Sequence, residues 1–163
     1  MQRISPCLWF DAQAEEAVAF YTAIFKNSKI VNVARYGEAG REFHGKAPGS
    51  VMTVAFELDG QEFTALNGGP LFKFSEAISL QIHCAGQGEV DYYWEQLSQG
   101  GDAKAQQCGW LKDKYGVSWQ VVPTGMYEVL NDPDATKSQR AMQALFQMKK
   151  LDMAELRRAF NGA

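Results

Sequence analysis

Polar side chains recur at alternate positions along several predicted strands, so each set shares one face of its strand. Together they offer hydroxyl, amide, imidazole and indole groups, which suit a neutral or aromatic ligand held by stacking and a few hydrogen bonds. The predicted ligand-binding residues are Ser5, Cys7, Trp9, Thr64, Asn67, Ser79, Gln81, His83, Trp110, Lys112 and Gln120. For each of them the alternative is a hydrogen bond to a neighbour within the same sheet. No catalytic residue is assigned.

A duplication predicts how these residues are positioned. One sequence pattern occurs twice, 74 positions apart (79 minus 5), as a short apolar strand, a polar break and an amphipathic helix. The matched pairs are Ser5 and Ser79, Gln13 and Gln87, Glu15 and Glu89, and Phe20 and Trp94. We therefore expect two similar modules, with the ligand site in a cleft between them.

Module 1 covers about residues 3–70 and is predicted to run β-α-β-β-β. Asp11 is the expected N-terminal cap of its helix. The dipeptide Asp59-Gly60 predicts a tight hairpin between the last two strands. The predicted elements are strands at 4–10, 29–36, 51–58 and 61–66 and a helix at 14–25.

Module 2 covers about residues 77–123 and is expected to repeat this β-α-β-β-β order. Its second strand would lie within 102–107, where the strand pattern is weak. The other predicted elements are a strand at 78–84, a helix at 89–98 and a hairpin that turns at Gly116.

A C-terminal extension, residues 124–163, is predicted to be helical. Asp132-Pro133 marks a helix start, because proline is tolerated in the first turn. Asp152 and Glu155 have the spacing of a capping box for a second helix. The methionines of the extension are expected to fill an apolar core rather than to bind a ligand.

Composition narrows the class of protein. The 163 residues suffice for one domain, 1–163, and 46% of them are hydrophobic, which allows a buried core. A net charge of −3 gives no electrostatic footprint for nucleic acid. No apolar run approaches the ~20 residues of a membrane span, and the N-terminus lacks a secretory signal. The three cysteines, Cys7, Cys84 and Cys108, form no CxxC pair and favour a reduced, cytoplasmic protein.

Several local strings resemble the PhnB-like branch of the vicinal oxygen chelate superfamily. They are Pro6-Cys-Leu-Trp-Phe-Asp11, Asn67-Gly68, Cys108-Gly-Trp-Leu-Lys-Asp-Lys-Tyr-Gly116 and Ser118-Trp-Gln-Val-Val-Pro123, with Met148-Lys-Lys-Leu-Asp152 fitting in the extension. The likeness covers nearly the whole chain. The superfamily includes glyoxalase I, extradiol dioxygenases and bleomycin-resistance proteins, and many members of this branch carry the label 3-demethylubiquinone 3-methyltransferase. The resemblance implies an α+β fold whose two modules form a glyoxalase-like half-open barrel, and a homodimer.

In its metal-dependent members this fold holds a divalent ion between the two modules. Matched strand to strand, the ligand positions implied by the resemblance fall near Ser5 or Pro6, Thr64, Ser79 and Gln120. Hydroxyls and a neutral amide bind transition metals poorly, so no cofactor is expected. A divalent metal recruited through His83 is the alternative, but a single imidazole does not make a site.

Two classes of function therefore stay open, and the sequence does not decide between a binding protein and an enzyme. The first is a small-molecule-binding protein without a firmly held catalytic metal, and the second is a metal-dependent lyase, isomerase or dioxygenase. Methyl transfer, as the family label says, is disfavoured because the chain has no G-x-G-x-x-G turn. Its one comparable glycine cluster ends in Pro70, which stops a helix from following. Neither the ligand nor a reaction is specified.

Overall fold

The computed structural model describes residues 3–163. The chain divides into two compact units, Met1–Phe74 and Ser75–Ala163, and the division falls between the two predicted modules. The fold class is mixed α+β, as predicted, with one sheet in each unit and helices at the C-terminus. Neither sheet closes into a barrel.

The first unit contains a four-stranded sheet in the order β1-β4-β3-β2. Strands β1 and β4 are parallel, whereas the other pairs are antiparallel. Its elements are β1 (Cys7–Phe10), α1 (Ala14–Ile24), β2 (Lys29–Arg35), α2 (Arg41–His44), β3 (Val51–Leu58) and β4 (Gln61–Asn67). The predicted hairpin is confirmed: Asp59 and Gly60 both have positive φ, 48° and 78°, as the tightest two-residue turns require.

Helix α1 packs on β3 and β4 and buries its apolar face against the sheet. The prediction that Asp11 caps this helix is wrong. The helix N-cap position is Gln13, whose side chain instead accepts a hydrogen bond from the Ala12 N–H. The N–H of Ala14, the first residue of the helix, donates to the Asn67 side chain at 2.8 Å. A residue 53 positions away thus satisfies a helix terminus that was expected to be capped locally.

The second unit begins with a three-stranded sheet in the order β5-β7-β6. Its elements are β5 (Leu80–Cys84), α3 (Gln87–Ser98), β6 (Trp110–Lys112) and β7 (Ser118–Pro123). Strands β5 and β7 are parallel and β6 and β7 are antiparallel, which repeats the β1-β4-β3 part of the first sheet. This agreement supports the duplication read from the sequence.

The predicted second strand of module 2 is wrong. Residues Ala103–Ala105 form a single 3-10 turn, and the Asp102 side chain accepts a hydrogen bond from the Lys104 N–H at 2.9 Å. This local bond competes with an extended conformation. Only Gln107 reaches the sheet, through an isolated bridge to Trp110, so module 2 runs β-α-β-β.

The extension forms α4 (Met126–Leu130), α5 (Ala135–Gln147) and α6 (Met153–Asn161). Asp134, two residues beyond the predicted start, caps α5 by accepting from the N–H groups of Thr136 and Lys137. Asp152 caps α6 as predicted, since it accepts from the Glu155 N–H at 2.9 Å. The helices enclose an apolar cluster of Val122, Met126, Leu145, Met148, Leu151 and Leu156, which Met142 and Met153 also contact. The methionines therefore fill a core, as expected.

No helix within residues 3–163 combines the length and apolar character needed to cross a membrane.

Candidate functional site

In module 1 the predicted residues follow β1 and β4. Cys7 pairs with Thr64 across these strands, and Trp9 pairs with Leu66. All four side chains lie on one face, because paired residues and alternate residues share a side of the sheet. Ser5 precedes β1 and is exposed. Burial raises the pKa of the Cys7 thiol, so this thiol stays protonated and neutral near pH 7.

Trp9 is fixed in place by three neighbours. Its indole N–H donates to the Gly69 carbonyl at 2.9 Å, and its ring meets Phe72 edge to face with the centroids 4.9 Å apart. A Cβ atom on Gly68 would lie 2.2 Å from the Trp9 ring. Trp9 is therefore a rigid apolar surface that depends on the glycine beside it.

Asn67 differs from the other predicted residues because its amide is engaged inside the module. Besides accepting from Ala14, it donates from Nδ2 to the Val51 carbonyl at 3.1 Å, and it is 8% exposed. The Tyr36 hydroxyl donates to its backbone carbonyl at 2.7 Å. These bonds hold α1, β3 and β4 together and leave this amide little capacity for a ligand.

In module 2 a row of three predicted residues crosses the sheet. Gln81 pairs with Gln120, and Gln120 pairs with Trp110, so β5, β7 and β6 each contribute one side chain to the same face. We call Gln81, Gln120 and Trp110 the polar row. Helix α3 packs on this sheet. The alternate residues Leu111, Trp119 and Val121 are buried, which leaves the polar row on the face away from the helix.

The amides of the polar row form a chain of hydrogen bonds. Gln81 Nε2 donates to Gln120 Oε1 at 3.3 Å, and Gln120 Nε2 donates to the Ser79 hydroxyl oxygen at 2.7 Å. The chain holds the Gln120 amide in one orientation. It leaves Gln81 Oε1 as an acceptor and the second Nε2 hydrogen of Gln120 as a donor for another molecule.

Next to the polar row lies a buried hydroxyl without a partner. Ser118 pairs with Lys112, is 2% exposed, and its Oγ has no hydrogen-bond partner within the described residues 3–163. Lys112 forms an ion pair with Glu76. The hydrogen bond from the Lys112 ammonium group lowers the pKa of the Glu76 carboxyl. Neither Ser118 nor Glu76 was in the predicted set. The shared strand parity of Ser118 and Gln120 was visible in the sequence, whereas the burial of the hydroxyl was not.

His83 lies one step further along the same face, opposite Val122, and is exposed. The residue opposite His83 is thus apolar and cannot serve as a second metal-binding side chain. Within the described chain, 3–163, no three His, Cys, Asp or Glu side chains come together to hold a metal. At the positions implied by the resemblance, the Gln120 amide is already bonded to Ser79 and to Gln81. This donor set does not fit a divalent transition metal.

The pairing registers also show which positions of the two modules correspond. Cys7 pairs with Thr64 in module 1, and Gln81 pairs with Gln120 in module 2. Cys7 and Gln81 are 74 positions apart, which is the offset of the duplication. The first-strand residues that lie opposite Thr64 and Gln120 are therefore Cys7 and Gln81, two positions beyond the equally matched Ser5 and Ser79.

Comparisons with known proteins agree with this fold. Residues 2–122 match the family model described as 3-demethylubiquinone-9 3-methyltransferase. This match covers the two modules and ends before the extension. No curated protein matches the chain.

Among solved structures, the PhnB protein from Bacillus cereus is 36% identical, with a TM-score of 0.65; the match covers 76% of this chain and 100% of that one. A protein from Pseudomonas aeruginosa is 17% identical over 74% of this chain and 96% of its own, with a TM-score of 0.57. The fosfomycin resistance protein FosX from Listeria monocytogenes, solved with Mn(II) and sulfate, is 18% identical, with a TM-score of 0.51. That match covers 80% of this chain and 95% of FosX. The last two show a shared fold only.

Proposed function

Since the chain belongs to the PhnB-like family described as 3-demethylubiquinone-9 3-methyltransferase, we propose that it binds a neutral aromatic small molecule without a firmly held catalytic metal. The proposed binding surface in module 2 is the polar row with Ser79, Ser118 and Lys112. In module 1, the predicted residues Ser5, Cys7, Trp9 and Thr64 remain candidate ligand contacts, with Trp9 as an aromatic surface.

The buried Ser118 hydroxyl is the observation that carries this proposal. A buried hydroxyl without a hydrogen bond costs about 1–3 kcal/mol, and native proteins contain few such groups. A polar atom of a ligand would supply the missing bond. The hydroxyl lies on the same face as the Gln120 amide and beside Lys112 on the next strand, so one ligand edge would meet all three.

The chemistry of this surface favours one ligand class. The Trp110 indole offers a flat apolar face for stacking, and the amides of Gln81 and Gln120 offer one acceptor and one donor beside it. Lys112 is neutralised by Glu76, so the surface has no unpaired charge for a strongly ionic ligand. A planar ring that carries a carbonyl or an amide fits this combination.

Titration with benzamide, followed by 1H–15N NMR, tests the proposal. The side-chain signals of Gln81, Gln120 and Trp110 should shift together, and Gln120→Leu should weaken binding at least tenfold. Gln139→Leu is the matched control, because Gln139 is an exposed glutamine on α5. Binding that is equally strong in Gln120→Leu, or absent from the wild-type protein, would contradict the proposal.

Methyl transfer, which the family description names, is the weaker candidate. The glycine cluster after β4 has a structural use, because Gly68 makes room for the Trp9 ring and the Gly69 carbonyl accepts its N–H. Calorimetric titration with S-adenosylmethionine tests this candidate, and micromolar binding would favour methyl transfer over the proposed ligand binding.

Metal analysis tests the other alternative, a metal-dependent lyase, isomerase or dioxygenase. Stoichiometric iron, zinc, nickel or manganese in protein purified without chelators would favour it.

The proposal includes a homodimer in the cytoplasm. Exposed apolar side chains on the edge strand β2, namely Ile30, Val31 and Val33, support a further contact there, because edge strands readily pair with another chain. The three free cysteines suit a reducing compartment. A monomer in sedimentation at micromolar concentration would count against the dimer.

A further inference from the structure

We propose that the C-terminal extension forms one wall of the binding surface in module 2 and thereby limits the size of the ligand. This inference rests on the proposed function. It concerns a segment that follows the region matched by the family model, residues 2–122, so it adds a specificity-determining element outside that region.

The extension packs on Val122, which lies in the pair of residues next to the polar row on the same face of the sheet. Val122 is two positions beyond Gln120 on β7 and shares its face. It pairs with His83 on β5, is 4% exposed, and packs in one cluster with Leu145 and Met148. Along β7, this face therefore changes over two residues, from the half-exposed amide of Gln120 to the apolar side chain of Val122, which the extension covers.

Hydrogen bonds fix the extension on the β6 side of this row. The Cys108 N–H donates to the Met148 carbonyl at 2.9 Å, and the Gly109 N–H donates to the Lys149 carbonyl at 2.7 Å. Gln107, which bridges to Trp110, donates from its side chain to the Phe146 carbonyl at 2.8 Å. The extension is therefore anchored directly beside the aromatic end of the polar row.

Gln87 on α3 holds the next part of the extension with both ends of its amide. Its Nε2 donates to the Leu151 carbonyl at 2.9 Å, and its Oε1 accepts from the Met153 N–H at 3.0 Å. Lys150, just before Leu151 in sequence, forms an ion pair with Asp91 at 2.6 Å. Because both sides of this segment are bonded to module 2, the wall is a fixed part of the module.

A fixed apolar wall sets a length limit along β7. A ligand that stacks on Trp110 and reaches Gln120 and Ser118 can extend away from Val122, but towards Val122 it meets the side chains of Leu145 and Met148. Shortening Met148 should therefore favour a longer ligand over a shorter one that makes the same polar contacts.

Two amide probes of different length test the wall: benzamide and 4-phenylbenzamide, titrated by 1H–15N NMR into the full-length protein. The ratio of their dissociation constants should move at least tenfold towards 4-phenylbenzamide in Met148→Ala. Leu156→Ala is the matched control, because it truncates the same apolar cluster on α6, away from the segment bonded to Cys108 and Gly109. It should leave the ratio unchanged.

The possible results separate this inference from the proposed function. An unchanged ratio in Met148→Ala, together with weaker binding of both probes by Gln120→Leu, would overturn the wall and leave the binding surface standing. Failure of the wild-type protein to bind either probe would overturn both. If thermal unfolding shows that Met148→Ala does not fold, Met148→Val should still shift the ratio at least threefold, and no shift there would overturn the wall.

Discussion

The buried carboxylate of Asp113 accepts a hydrogen bond from the indole N–H of Trp119 at 2.9 Å. Its other oxygen accepts from the N–H groups of Tyr115 and Val117 at 2.9 and 3.0 Å. Asp113 is 3% exposed, so a single carboxylate shapes the turn between β6 and β7 and ties it to a core tryptophan. This turn sets the register that places Gln120 opposite Trp110.

Removal of the Asp113 carboxylate should destabilise the protein strongly. We expect Asp113→Ala to lower the free energy of unfolding by about 3 kcal/mol, because two buried N–H groups and one partly buried N–H group lose their acceptor. Asp113→Asn should cost less, since one amide oxygen remains to accept. Urea denaturation measures both, with Asp102→Ala, which loses one exposed bond, as the control. Equal stability of Asp113→Ala and Asp102→Ala would contradict the structural role.

Alanine at two glycines should have very different effects on stability. A Cβ atom at Gly68 would clash with the Trp9 ring, which cannot move without losing its bond to Gly69, so Gly68→Ala should cost about 1–3 kcal/mol. At Gly86 there is nothing within 4 Å and the backbone is extended. Gly86→Ala should therefore change stability by no more than about 0.5 kcal/mol, because the lower entropy of the unfolded chain is offset by a poorer N-cap for α3. Thermal unfolding compares the two, and equal melting temperatures would be inconsistent with a close Trp9–Gly68 contact.

Ser118→Ala should separate stability from binding. Loss of an unsatisfied buried hydroxyl should raise the free energy of unfolding of the ligand-free protein by about 1 kcal/mol, while benzamide binding weakens. Ser79→Ala is the matched control on the same face: it removes the acceptor of Gln120 Nε2 and should lower stability. A loss of stability in Ser118→Ala would show that the hydroxyl has a partner in solution.

The Cys84 thiol should make stability depend on alkaline pH. Burial, with a smaller contribution from the charge of Glu89, raises the pKa of Cys84 to about 11, whereas an unfolded cysteine has a pKa of about 8.5. Between these values the unfolded chain loses the proton and the folded chain keeps it, so the stabilising contribution present below about pH 8.5 is lost as the pH rises towards 11.

Urea denaturation of the wild-type protein and Cys84→Ala from pH 8 to pH 11 tests this dependence. The substitution removes the titrating thiol, so the stability gap between the two proteins should narrow with rising pH, by about 1 kcal/mol or more. Other titrating groups are common to both proteins and cancel in the difference. A constant gap would mean that the Cys84 thiol ionises alike in the folded and unfolded chains.

Local signals in the sequence predicted most of the elements correctly. The alternation along β3 and β4, the Asp59-Gly60 turn and the Asp152 cap each depend on residues close together in the chain. The duplication added the correspondence between Thr64 and Gln120, because a repeated pattern preserves strand register. The confirmed parts of the fold are thus those that short segments specify by themselves.

Features that depend on distant contacts were missed. Asn67 caps a helix 53 positions away, and nothing near Ala14 in the sequence indicates this. The burial of Ser118 depends on which side chains cover it, which strand parity does not report. The 102–107 segment was misassigned because the duplication suggested a strand where a local Asp102 bond favours a turn. The ligand-binding residues themselves remain predictions.

The duplicated glutamines have taken different partners. The Gln13 side chain accepts a hydrogen bond from its own neighbour Ala12. The Gln87 side chain instead bonds to the backbone of Leu151 and Met153 in the extension. The two modules therefore differ in what this residue holds together. The same residue type thus serves only its own turn in module 1 but fastens residues 151–153 in module 2, so a substitution at Gln87 removes long-range contacts that the matching substitution at Gln13 leaves intact.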